Sequence, residues 1–139
     1  MKAIVSLGNM LKSDDNIANL VLEKIKAKNT AFFKGGMNPE NLIPKIRKVK
    51  PTKIIFMDAL DFNGKIGEVR LFDLSEIQNT LTTTHNIPIN MIQKFFPKTS
   101  VKVIGIQPKK LEHGTELSNE IKKRFEEIVS ETEKIIDSL

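Results

Sequence analysis

Residues 50–62 read KPTKIIFMDALDF, and the unbroken apolar run Ile54–Met57 at their centre decides the fold. Four apolar residues in a row leave no face for water, so the run reads as a strand buried on both sides, as central strands of parallel sheets are. Upstream, Pro39 at a helical first turn, with Leu42, Ile43, Ile46 and Val49 behind it, predicts a helix that Pro51 stops. Before that helix, Thr30–Phe33 is a weaker strand ended by Gly35-Gly36, and Ala3–Leu7 is a short buried strand bounded by Gly8-Asn9. Between these two strands, Asp14 or Asp15 can cap a helix whose apolar stripe is Ile17, Leu20, Val21, Lys24 and Ile25.

Downstream, NGKIG (63–67) is a turn, and Glu68–Asp73 alternates like a half-exposed strand at an antiparallel edge. Pro88–Phe96 reads as a short helix and Val101–Ile106 as a last strand. Ser118 then caps a C-terminal helix with Ile121, Phe125, Ile128, Val129, Thr132, Ile135, Ile136 and Leu139 on one face. The alternation predicts a three-layer α/β/α sandwich with a mostly parallel sheet, one domain spanning 1–139. There is no repeat, linker or low-complexity tract.

Composition narrows the function. Hydrophobic residues are 40% and charged residues 28% of the chain, the balance of a folded protein. No stretch approaches the roughly 18–20 apolar residues of a membrane span, and the N-terminus turns polar at Asn9, too early for a secretory signal, so the expected location is the cytoplasm. With no Cys there is no thiolate nucleophile and no Cys-ligated metal. The net charge of +5 comes mostly from Lys scattered among acids, while Trp and Tyr are absent, so a solvated face is expected and no nucleic-acid partner.

Ligands of such folds gather outside the carboxyl ends of the strands. Three places there carry chemistry: Asp14 and Asp15 after the first strand, Asp58 directly after Met57 with Asp61 close by, and His85 in the run before Pro88. Each has a bland reading: a helix cap for the acidic pair, loop-amide bonding for Asp58, a turn for Asp61, a surface loop for His85. Together, two carboxylates and an imidazole suit a divalent cation and leave coordination positions open. Gly8 starts no phosphate-binding loop, and acids at a helix start repel phosphate. A phosphoacceptor receiver domain, with Lys109 or Lys110 as its basic residue, shares the acidic pattern but leaves His85 unused.

Six blocks, in order, carry a resemblance: GNMLKSDD (8–15), GGMNPEN (35–41), KPTKIIFMDALDF (50–62), GEVRLFD (67–73), TTTHNIPIN (82–90) and GIQPKKLEHGTELS (105–118). The chain resembles the hydrogenase maturation endopeptidases, nearest to the formate-hydrogenlyase (hydrogenase 3) type, over nearly its whole length. The resemblance implies a cytoplasmic endopeptidase, monomeric, that trims a C-terminal extension from the precursor of a NiFe hydrogenase large subunit once nickel is inserted. It places the residues that engage the nickel on Asp15, Asp58 and His85, the metal arriving with the substrate and none being permanently bound. A chaperone that holds the precursor through the same ligands without cutting it is the alternative reading. Asn16 and Ala18 stand where the family commonly has Gly, and Lys34 where it often has an acid, departures that bear on loop shape and precursor specificity.

Overall fold

The computed structural model describes residues 1–80, 92–109, 114 and 116–139. Five strands form one sheet in the order β2-β1-β3-β5-β4: β1 (Lys2–Leu7), β2 (Thr30–Gly36), β3 (Lys53–Ala59), β4 (Val69–Asp73) and β5 (Ser100–Ile106). β1, β2, β3 and β5 run parallel, and β4 lies antiparallel on the edge beside β5. β3 is the central strand, and its Ile54, Ile55, Phe56 and Met57 are fully buried.

Strand alternation divides the core into two layers. Val5, Leu7, Ile54, Phe56 and Val103 pack with Ile43 and Ile46 of α2 (Ile43–Val49), with Leu74 and Ile77 of α3 (Leu74–Thr80), and with Ile92 and Phe96. On the other face Ile4, Ile55, Met57, Ile104 and Ile106 pack with Ile17 and Val21 of α1 (Ile17–Leu22) and with Ile121, Ile128 and Ile136 of α4 (Asn119–Ser138). The result is the three-layer α/β/α sandwich, with its antiparallel edge strand.

Several local expectations change. α1 ends at Leu22, short of Lys24 and Ile25, because the amides of both residues turn back onto the Val21 carbonyl oxygen at 2.9 and 3.0 Å. The acidic pair sits in a 3₁₀ turn, Ser13–Asn16, ahead of α1, and neither carboxylate caps the helix. Ser118 occupies the N-cap position of α4, but its hydroxyl makes no cap bond within that helix. α3 has no counterpart in the sequence reading, although Asp73-x-x-Glu76 is a capping box in outline: the Glu76 carboxylate accepts from the Asp73 amide at 3.0 Å. Of the helix expected over 88–96, residues 92–95 are helical and 88–91 lie outside the described residues. Among the described residues, no helix is long and apolar enough to cross a membrane.

Candidate active site

The carboxyl ends of β1, β2 and β3 meet at one edge of the sheet, and glycines let them meet closely. The Gly8 amide, just past β1, donates to the Gly36 carbonyl oxygen at 3.0 Å. Gly8 has φ +137°, and a Cβ there would lie 2.0 Å from the Asp15 carbonyl oxygen, so no other residue fits without displacing Asp15. At Gly35 a Cβ would lie 2.5 Å from the Ser6 carbonyl oxygen.

Asp15 is fixed at this edge by the chain that precedes it. Its Oδ2 accepts from the Asn9 amide at 2.8 Å, and Asn9 Oδ1 in turn accepts from the Leu11 amide at 2.9 Å. The side chain is 7% exposed. The turn carrying it packs directly on β3, where Asp58 is 1% exposed. Asp58 lies within β3, opposite Gly105 of β5, and alternation places it on the face of Phe56 and Leu60. A Cβ at Gly105 would come within 2.9 Å of Leu60 Cδ2, so this glycine makes room for the side chain that follows Asp58 by two residues.

Asp14 and Asp15 are neighbours with separate partners. Asp14 is fully buried and points at the other end of the molecule in sequence: Oδ1 accepts from the Ser118 amide at 2.7 Å, and Oδ2 accepts from the Ser118 hydroxyl and the Lys109 amide, both at 2.8 Å. Asp61 is the turn residue expected of it. Its Oδ1 accepts from the Asn63 amide at 3.0 Å and Gln107 Nε2 at 3.1 Å, and these bonds, the amide foremost, hold its carboxyl below the ordinary 3.8. Lys109 Nζ is engaged in an exposed ion pair with Glu120 at 2.6 Å.

Asn19 is a residue that sequence reasoning missed. Fully buried in α1, it accepts from Ser6 Oγ at 2.8 Å and donates Nδ2 to the Gly8 carbonyl oxygen at 3.1 Å and to Asn16 Oδ1 at 3.0 Å. It thus ties the end of β1 to the helix behind Asp15. Its signal was a polar residue inside an apolar helical stretch. Asn16, where the family commonly has Gly, has φ −86° and serves this network, so the position makes no demand for glycine. Ala18 is buried against the sheet, and Lys34 forms an exposed ion pair with Glu23 at 2.7 Å.

Of the three residues expected to engage a metal, Asp15 and Asp58 lie at the carboxyl ends of adjacent strands, and His85 lies outside the described residues. Among the described residues, no three His, Cys, Asp or Glu side chains form a group that could hold a metal ion. The pair offers two buried carboxyl groups to a cation brought from outside. The all-parallel 2-1-3-4-5 order of a receiver domain does not match this sheet, whose fifth position is the antiparallel β4.

Comparison with known proteins points to one family. The hydrogenase maturation protease family matches residues 16–135, a span that includes Asp58 and His85 and begins one residue after Asp15. The hydrogenase 3 maturation protease of Escherichia coli K12 is 35% identical over 111 residues, covering 76% of this chain and 71% of that protein. The solution structure of an endopeptidase HycI from Escherichia coli superimposes with a TM-score of 0.79 at 30% identity, covering 96% of this chain and 90% of that one. The NiFe hydrogenase maturation protease HycI of Thermococcus kodakarensis KOD1 gives 0.77 at 28% identity, with the same coverage.

Proposed function

The chain belongs to the hydrogenase maturation protease family, and from that premise we propose that it removes a C-terminal extension from the nickel-loaded precursor of a NiFe hydrogenase large subunit, in the cytoplasm. The observation that carries this reading is the pair Asp15 and Asp58, each more than nine-tenths buried at the carboxyl ends of neighbouring strands. Carboxylates suit a divalent cation, and a cation held by the precursor would meet Asp15 and Asp58 at this edge, with His85 as the third ligand. Metal-free precursor brings no cation, docks weakly, and so escapes premature cutting.

In the bound complex the scissile carbonyl is polarised by the substrate's nickel, and Asp58 takes a proton from a water whose oxygen adds to the carbonyl carbon. Collapse breaks the C–N bond, and the proton passes from Asp58 to the departing amine. Asp15 and His85 hold the metal in register. Side-by-side processing of nickel-loaded precursor by wild type, Asp15→Asn, Asp58→Asn and His85→Ala tests the assignment. Asp58→Asn should lose about 10²–10⁴-fold in rate while staying folded. Full processing by a folded Asp58→Asn removes Asp58 from this role, and binding without cutting by wild type moves the protein to the chaperone reading.

A further inference from the structure

We propose that Asp14 is a positioning residue that sets the place of Asp15 by tying its 3₁₀ turn to Lys109 and to the start of α4. The inference rests on the role proposed for Asp15.

The three consecutive residues Ser13, Asp14 and Asp15 are each held from a different direction. Ser13 has φ +46°, a left-handed conformation unusual for serine, and is stapled by two bonds: its amide to the Gly114 carbonyl oxygen and its hydroxyl to that of Glu116, both at 2.7 Å. Asp14 receives Ser118 N, Ser118 Oγ and Lys109 N, and Asp15 receives Asn9 N. Gly114 closes the same contact from its side, donating its amide to the Leu11 carbonyl oxygen at 2.9 Å. The acidic turn is therefore held by residues roughly a hundred positions away, and the Ser118 hydroxyl, which makes no cap bond within α4, serves Asp14.

Asparagine cannot replace this carboxylate. Among the described residues three donors converge on two acceptor oxygens, whereas an amide side chain offers one oxygen and turns an NH2 toward amides that cannot reverse. Loss of the anchor frees the turn, and Asp15 is the next residue along. A displacement of about 1 Å at a reacting group can cost on the order of 10²-fold in rate. Because Asp15 helps to hold the precursor's metal, its displacement weakens docking as well as alignment, so the loss belongs in kcat/KM.

The test pairs a local structural readout with kinetics. Amide hydrogen exchange at Asn9, whose N–H is covered by Asp15 Oδ2, reports where Asp15 sits. Asp14→Asn is expected to speed exchange at Asn9 at least tenfold and lower kcat/KM for precursor trimming at least tenfold. Ser118→Ala, which keeps the amide donor and removes the hydroxyl, should move both in the same direction by about threefold. Ile128→Val, a core change remote from the turn, should move neither. Folded Asp14→Asn with Asn9 exchange or kcat/KM within twofold of wild type overturns the proposal, and if Asp14→Asn fails to fold, Ser118→Ala decides by the same criterion. If wild type trims no precursor, the proposed function fails, while Asn9 exchange still decides whether Asp14 positions Asp15.

Discussion

A methyl group added at Gly8 would meet the Asp15 carbonyl oxygen at 2.0 Å, on a backbone already at φ +137°. Gly8→Ala must therefore move the turn that carries Asp15 or strain β1, at a cost of about 3 kcal/mol. Thermal unfolding should show the loss, and trimming activity should fall further than stability alone explains. Asn19 behaves differently, because it makes three bonds, those to Ser6 and Gly8 buried and that to Asn16 part-buried. Asn19→Leu leaves Ser6 Oγ and the Gly8 carbonyl oxygen without it and should cost about 2–4 kcal/mol, measured by denaturant unfolding. At this scale the sequence was legible where chemistry follows a strand: Asp58 stood out because it ends an apolar run. Asn19 and the Asp14–Ser118 bond were not, since a lone polar residue has no periodicity and a contact 104 residues apart has no local signature.

Elements were legible where burial is two-sided or one face is apolar. β1, β3, β5 and α4 follow from runs and stripes of Ile, Val and Leu, and their ends fall within a residue or two of expectation. α1 was overextended because Ile25 keeps the helical spacing and stays buried, although the backbone has already turned at Val21. α2 ends by a device that sequence hides: Lys50 takes the left-handed C-cap conformation, φ 48°, that glycine usually fills. Lys50→Gly relieves roughly 1 kcal/mol of this strain, partly offset by chain entropy, and should raise the melting temperature by about 1–3 °C. A lower melting temperature would show that the lysine side chain contributes more than its backbone costs.

Across the whole molecule, one antiparallel edge strand and a clamped loop complete the sandwich. Gln107, at the exit of β5, accepts from the Phe62 and Gly64 amides and donates to Asp61, holding the loop that leads from β3 toward β4. Because the Asp61 carboxyl lies below its ordinary 3.8, the unfolded chain binds more protons near that pH than the folded one. Its stabilising contribution is present above pH 3.8 and is lost as pH falls through the folded value. Melting curves of wild type and Asp61→Asn should accordingly differ at neutral pH and converge below that range. The sheet edge that gathers Asp15 and Asp58 is a property of topology, legible because ligands of parallel sheets gather outside the carboxyl ends of the strands, whereas the strand order was not read from the sequence.

The most direct measurement of the central claim is the intact mass of a NiFe hydrogenase large-subunit precursor after incubation with this protein, in nickel-loaded and metal-free forms. The account predicts loss of one defined C-terminal peptide from the loaded precursor and an unchanged mass for the metal-free one. An unchanged mass for both, or equal trimming of both, would contradict it.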